Sequence, residues 1–442
     1  MRQVFPCLLL LIGTTVRAES GADDSLTLCG VTLYGVVDLG LAYQTHGVPL
    51  NRDYYIGLEY VVSKNSNHSQ LAIAPGGLGQ SKIGIKGTES ITGDWDVVFR
   101  LETDFNPESL RLADSSKAMV ANSDRPLALQ NSNSDGNKNG QIFAGAAYAG
   151  LGNRDFGTLT FGRQTSLIAD ALMVYDPQSG AYAFSFLGIG APGGGGSTQN
   201  VRMDDSLKYT ISLGDFHGGL FNQFVGADGY GHGALQGDLG YAEGPLNVDF
   251  VASRVKDTIS ASPLNPAQAA DPKIPGNSLA ATVSDTTAVG AMAKYAFADV
   301  TLFGGTELIE FANPSHPLLS GFSDEGGYRV SAAATNNRAY DHKRNLAVFW
   351  TGVRYPFNEV LSLSGGYYRT AQNNYRGDGC AGTAFPQCKG WQHALGGHLE
   401  YRLARRWDAY AGAMYTEVGG GMASGFLHRS NLGPMVGTRF SF

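Results

Sequence analysis

In DWDVVFRLETDF, residues 94–105, Trp95, Val97, Phe99, Leu101 and Phe105 fall on one side of an extended chain. Asp94, Asp96, Arg100, Glu102 and Asp104 fall on the other, with Val98 the one apolar residue among them. That alternation of two is the signature of a strand between unlike environments, and a helix would need apolar residues at i, i+3 and i+4. The same pattern recurs in WQHALGGHLEYR, RWDAYAGAMYT and the closing MVGTRFSF. In the last, Val436, Thr438, Phe440 and Phe442 oppose Gly437, Arg439 and Ser441.

Sixteen such segments are predicted: 31–43, 81–90, 94–105, 141–151, 156–164, 204–212, 215–226, 233–243, 245–256, 285–297, 298–309, 344–355, 358–371, 391–402, 405–418 and 431–442. Two stretches are ambiguous. FHGGLFNQFVG has apolar residues on both faces, and 54–62 reads either as a further strand or as part of a long loop. Turns of a few residues alternate with long connections at 44–80, 106–140, 165–203, 257–284, 310–343, 372–390 and 419–430, broken by a brief one at 227–232. Short and long connections in strict alternation suit a barrel that crosses a membrane, with short periplasmic turns and long external loops. Open sheet edges cannot face lipid, so the sheet must close, and sixteen strands leave an interior too wide for side chains to fill. The expected fold is therefore all-β: a 16-stranded antiparallel transmembrane β-barrel around water. A terminal Phe442 then has an environment, the lipid boundary with its aromatic girdle.

Composition agrees. Of 442 residues only 16% are charged, 60 are Gly, 21 Tyr and 22 Phe, which favours many strands over helices. The opening MRQVFPCLLLLIGTTVRAES has Arg2, a short apolar run from Val4 to Ile12 and small or compact residues before Ala18. It reads as a signal peptide, 1–18, followed by a barrel domain, 19–442. Losing Arg2 and Arg17 takes the net charge from −7 to −9, which argues against a nucleic-acid partner. Cys7 leaves with the signal, Cys29 stands alone, and Cys380 and Cys388 lie close together in an exported chain. A local disulfide or two unpaired thiols would both be compatible, and the oxidising compartment favours the disulfide.

VTLYGVVDLG (31–40), SKIGIKGTE (81–89), AYAGL (147–151), FGTLTFGRQ (156–164), DDSLKYT (204–210) and VGTRFSF occur in one order along the chain. This ordered set resembles the general porins of Gram-negative bacteria, in particular the trimeric porins of β-proteobacteria. The resemblance implies a homotrimer in the outer membrane, a C-terminal Phe442 strand read by the barrel-assembly machinery, and a third long loop, 165–203, folded inward to narrow each pore. By position it places Asp170 and Asp176 on that loop, opposite wall cations Lys82 and Arg202. A further wall Arg expected just before AYAGL is replaced by Gly145 or a neighbouring Ala. Parity alone points Lys82, Lys86, Arg100 and Glu102 inward, while Arg163 and Arg202 lie at strand ends, where parity fails.

Other motifs carry less. GGGG at 193–196 lacks the Lys of a phosphate loop, and GFSDE around Ser323 lacks the final Gly of a nucleophile turn. His393 and His398 fall on opposite faces of one strand, and RGD at 376–378 sits in an external loop. No catalytic set, cofactor or metal is expected. The expected function is passive diffusion of ions and small hydrophilic solutes. The alternatives are a substrate-specific channel on the same barrel, and an outer-membrane adhesin or enzyme that uses the barrel as a mount.

Overall fold

The computed structural model describes residues 26–53, 60–65, 68–133, 142–187, 201–224, 233–319, 322–325, 327–382 and 385–442. The signal peptide, residues 54–59 of the ambiguous 54–62 stretch, position 141, the glycine run 193–196 and the side chain of Ser323 lie outside the described residues.

Sixteen strands form the wall: β1 (Val31–Gly47), β2 (Lys82–Thr92), β3 (Trp95–Asn106), β4 (Ala146–Asn153), β5 (Gly157–Thr165), β6 (Arg202–Leu213), β7 (Phe216–Gln223) and β8 (Ala234–Glu243), followed by β9 (Leu246–Ser262), β10 (Ser278–Phe297), β11 (Val300–Ala312), β12 (Arg344–Pro356), β13 (Leu361–Gln372), β14 (Gly390–Ala404), β15 (Trp407–Gly420) and β16 (Ser430–Ser441). Each pairs antiparallel with the next, and β1 closes on β16 from Val36↔Ser441 to Ala42↔Met435. The closed sheet leaves no edge that would have to face lipid unpaired. All sixteen expected segments are found, within a few residues at their short-turn ends.

Faces follow parity. Outward positions such as Leu220, Leu239, Phe250, Leu302, Leu395 and Val436 are exposed, as a lipid-facing band requires. At the short-turn rim Trp95 stacks on Phe156, Phe216 lies 5.0 Å from Tyr241 and Trp407 lies 4.8 Å from Phe440, a girdle of rings. Phe442 closes the barrel as well as joining the girdle. Its N–H donates to the Gly35 carbonyl at 3.0 Å, its carbonyl accepts from Gly35 at 2.9 Å, and its ring lies where a β-carbon on residue 35 would collide with it. A side chain at 35 would have to displace that ring.

The external connections depart from expectation in three places. The segment 44–80 contains a strand, His68–Pro75, paired with the outer half of β1 from Leu39↔Pro75 to Gly47↔His68. It continues the line of β2 after an excursion at 76–81. The segment 310–343 contains the strands Phe322–Glu325 and Tyr328–Asn336, the second running parallel to β10. Finally, β9 and β10 run further outward than predicted, past a bulge between Val255 and Thr258, where the β-branched Thr258, Ile259, Thr282 and Val283 suit a strand whatever their polarity. Across the mouth, α1 (Ser115–Ala121), N-capped by Asp114, brings Met119 against Ile259, Leu279 and Val330. The loop after β3 thereby reaches the tops of β9 and β10.

Candidate functional site: a charged arc facing an inward loop

One arc of the inner wall collects charge. Lys82 on β2 lies opposite Asp104 on β3 in the ladder, Gly84 opposite Glu102, and Lys86 opposite Arg100. Opposed residues share a face. Glu102 is the hub: it accepts from Arg100 Nη2 at 2.6 Å and from the Tyr34 hydroxyl at 2.9 Å, and lies 3.4 Å from Lys82 Nζ. Arg100 also donates from Nε to the Tyr34 hydroxyl at 2.7 Å and lies over that ring. Arg202, at the start of β6, comes within 4.0 Å of Asp104 and donates to Gln80 at 3.3 Å. Lys82, Arg100, Arg202 and Lys208, with Tyr148 and Thr160, line a cavity of about 280 Å³.

Burial sorts the signs. The carboxylates of Glu102 and Asp104 are 3% and 0% exposed, while the side chains of Lys82 and Arg100 are 28% and 34% exposed. A buried carboxylate must be paired or it is expensive. Here Lys82 and Arg100 serve as its partners from the more exposed side. Arg202 is only 12% exposed, and in the Asp170–Lys208 pair the order is reversed, the carboxylate being 43% and the ammonium side chain 14% exposed. Gly145 belongs to this arrangement. A β-carbon there would come within 3.0 Å of Glu102, so the missing wall Arg leaves the space that Glu102 occupies.

Opposite, the loop after β5 turns inward. Ser166 caps α2 (Leu167–Tyr175), accepting from the Ala169 N–H, and α2 lies against β7 to β11. Ile168, Ala171, Leu172 and Tyr175 pack with Val251, Ala288, Met292 and Trp350 of the wall. The Trp350 indole donates to the Tyr175 carbonyl at 3.0 Å. Asp176 follows, fully buried, accepting from the Tyr368 hydroxyl at 2.7 Å and from the N–H groups of Gly180 at 2.7 Å and Gln178 at 3.3 Å. Burial pushes this carboxyl above its usual range, and the hydrogen bonds oppose that rise. Arg354 then holds the Pro177 carbonyl and the Ser179 hydroxyl, and Phe184 stacks on His398 at 4.9 Å. Gly396 makes this approach possible, since a β-carbon there would stand 1.9 Å from the Phe184 oxygen. The loop reaches the far side of the lumen, where Tyr182 donates to Gln80 at 2.8 Å and the Ala183 N–H donates to the Gly77 carbonyl at 3.0 Å. Burial also pushes the Tyr182 hydroxyl up.

The model of the Gram-negative porin family matches residues 9–421. The chain belongs to the Gram-negative porin family. Its place is accordingly the outer membrane. It is 25% identical over 253 residues to an outer membrane porin protein of Bordetella pertussis, covering 54% of this chain and 57% of the relative. It is 25% identical over 258 residues to outer membrane porin protein 32 of Delftia acidovorans, covering 56% and 60%. The matched region thus spans little more than half the length of these curated relatives. Among solved structures, an anion-selective porin from Comamonas acidovorans superposes with a TM-score of 0.58 at 17% identity, covering 93% of this chain and 99% of that one. A trimer form of OmpT from Vibrio cholerae gives 0.56 at 14% identity, covering 93% and 99%. At these identities both show the fold.

Within the porin, the structure brings Lys82, Arg100, Glu102 and Arg202 together. Asp170 joins them through an ion pair to Lys208. Two residues are placed differently from expectation. Arg163 is 5% exposed, bonded to the Ala144 carbonyl and Asp204 at 2.7 Å each. A bulge between Gly162 and Gln164 shifts the parity there, and Gln164 takes the inward position beside Thr160. Asp176 does not face water and instead ties the loop to the wall. Sequence reasoning missed Lys208, although Leu207 and Tyr209 beside it mark it as inward. Asp38 has a role that alternation alone does not show: its buried carboxylate accepts from the N–H groups of Gly77, Leu78 and Gly79 and from the Tyr410 hydroxyl at 2.6 Å. Its signal was APGGLGQS, a glycine-rich turn whose N–H groups need an acceptor. In the external loop after β13, Cys380 and Cys388 are joined, with α-carbons 5.4 Å apart, and Cys29 is exposed.

Proposed function

We propose that this porin is a general diffusion channel in which solutes pass between the charged arc of β2 to β6 and the inward loop. The reading is carried by one observation: Lys82 and Arg100 are partly exposed on the arc while Glu102 and Asp104 are buried beside them. Fixed positive charge inside a low-dielectric wall biases entry towards anions without a tight site. Residues 188–200, which complete the loop, contain no charged residue, so the balance is set by the wall together with Asp170. A mild anion preference follows, in line with what the Comamonas structure is described as having. No catalytic role is assigned. Three copies per assembly are expected, as in the OmpT trimer, with small outward residues at the contacts, and the Phe442 strand is expected to be the segment read during barrel assembly. The test is single-channel recording of purified protein in planar bilayers, with mass measurement in mild detergent. Stepwise open-channel conductance in KCl from a three-copy species supports the reading. A protein that inserts without conducting refutes it.

A further inference from the structure

The outer end of β12 holds a second group of cations, on the external side of the inward loop. Arg344 lies opposite Phe311 of β11 in the ladder, and Leu346, two residues on, lies opposite Gln372 of β13. All four share the inner face. Three rings gather around the Arg344 side chain. Phe311 comes from the wall, Tyr340 from the loop before β12 and Tyr375 from the loop after β13. The guanidinium lies 5.3 Å from the Phe311 ring centroid and 5.9 Å from that of Tyr375. Tyr340 stacks on Phe311 at 6.2 Å and tilts against Tyr375 at 5.8 Å. Phe311 and Tyr375 are 9% and 8% exposed, whereas Tyr340 is only half-buried, so part of its surface stays open.

The charge here is unbalanced. Arg100, Arg163, Arg202 and Arg439 each have a carboxylate within 4.0 Å. Arg344 has a neutral partner instead, its Nε donating to the Gln372 side-chain oxygen at 3.1 Å. Lys64, in the external segment 44–80, is near enough for the two charges to act on each other. Desolvation, and after it the Arg344 charge, holds the Lys64 ammonium below its ordinary value. Among the described residues neither cation has an ion pair. Like charges held near each other repel, and an anion between them relieves both. The rings attract the guanidinium and fix its place, and they leave apolar surface beside it. A flat acid with an apolar body meets both features.

We propose that this outer vestibule holds a small aromatic carboxylic acid, its carboxylate on Arg344 and Lys64 and its ring against Tyr340. With Nε held by Gln372, the terminal nitrogens of the planar guanidinium can meet a carboxylate through charge-assisted N–H donors. Ring contact adds what chloride or acetate cannot supply. The inference rests on the reading of the barrel as an open channel, because the acid enters from outside, and is independent of which ion the charged arc prefers.

The test is isothermal titration of the purified porin with benzoate and with acetate, with single-channel conductance in KCl as the folding control. Benzoate is expected to bind about tenfold more tightly than acetate. Arg344→Gln weakens benzoate binding about tenfold, as loss of a charge-assisted contact would. Tyr340→Ala brings benzoate to the level of acetate, and Tyr340→Phe, which keeps the ring, does not. Benzoate binding no tighter than acetate binding, in a porin that conducts KCl, overturns the inference and leaves the channel reading standing. Unaltered affinity in Arg344→Gln also overturns it, since the rings would then serve only to tie the two loops to the wall. So does benzoate binding that is lost in Arg202→Gln and kept in Arg344→Gln, which would put the anion on the charged arc.

Discussion

The two sides of the inner wall are built on opposite principles. From β2 to β6 the inward residues are Lys82, Arg100, Glu102, Arg202 and Lys208, with threonines between them, and they line open space. From β9 round to β16 the inward residues include Val251, Ala288, Met292, Val348, Trp350, Tyr368, Met414 and Met435. A barrel lumen is expected to be polar, so an apolar inner arc requires a cover. The cover is residues 167–187, whose Ile168, Leu172, Tyr175, Phe184 and Leu187 are buried against it. The inward loop is thus held as a hydrophobic core holds a helix, while the opposite arc is left to solvent and solutes. Packing decides where the channel runs, and charge decides what prefers to run there.

The comparison breaks most severely if the loop is released. Trp350→Ala removes a fully buried indole and its hydrogen bond to Tyr175. Truncations of this kind cost about 3–5 kcal/mol. The cost falls on loop docking, because β12 keeps its ladder on both sides. Open-channel conductance is expected to rise and protease cleavage within 166–187 to appear, while the barrel stays heat-resistant. Conductance equal to wild type would mean the loop does not narrow the pore.

Asp176 sharpens the same point through pH. Burial raises its docked-state pKa above the free-loop value. Its contribution to docking is therefore fully present below the free-loop pKa and declines as pH rises through the docked value. Current noise from loop motion is expected to grow as pH rises above the free-loop value, and Asp176→Asn is expected to flatten that dependence. A noise level that grows instead as pH falls would contradict the buried placement. Because the carboxylate is out of contact with water, the same substitution should shift ion preference less than a change on the arc.

On the arc, Arg202→Gln is expected to move permeability towards cations, on the order of a twofold change in ratio, with some loss of stability because the buried Asp104 loses a partner. Arg163→Gln serves as the control, since Arg163 is 5% exposed and held by Asp204 and the Ala144 carbonyl. If the two substitutions act alike, the division between wall and lumen residues is wrong. The smallest effect belongs to the external loop. Replacing Cys380 and Cys388 by Ser releases a short ring worth about 2–3 kcal/mol in the chain-entropy model. It should raise protease sensitivity within 372–390 and leave conductance and selectivity alone.

Much of the barrel was legible because each strand answers to two solvents, and alternation records that directly. WDVVFRLETDF places Glu102 and Arg100 inward with no knowledge of the fold. FHGGLFNQFVG was ambiguous for a physical reason: Leu220 faces outward and Phe221 packs inward under Leu167 at the start of the loop, so both faces are apolar. The strand 68–75 was missed because QLAIAPGG follows polar NSNHS and precedes an excursion at 76–81 that interrupts its line with β2. The fate of Asp176 was not legible at all. Carboxylates look alike in sequence, and only the packing of Tyr368, Gly180 and Gln178 around this one separates an anchor from a pore charge. Lys208 was legible by parity between Leu207 and Tyr209, whereas Arg163 was hidden by a bulge that no pattern announces.

The most direct measurement is the reversal potential of the unmodified porin in a planar bilayer under a KCl gradient. With Lys82 and Arg100 partly exposed, Glu102 and Asp104 buried beside them and an uncharged segment completing the loop, the sign is predicted to be that of chloride preference, enlarged by Glu102→Gln. A potential of the sign for potassium preference, or one indifferent to Glu102→Gln, would contradict the account.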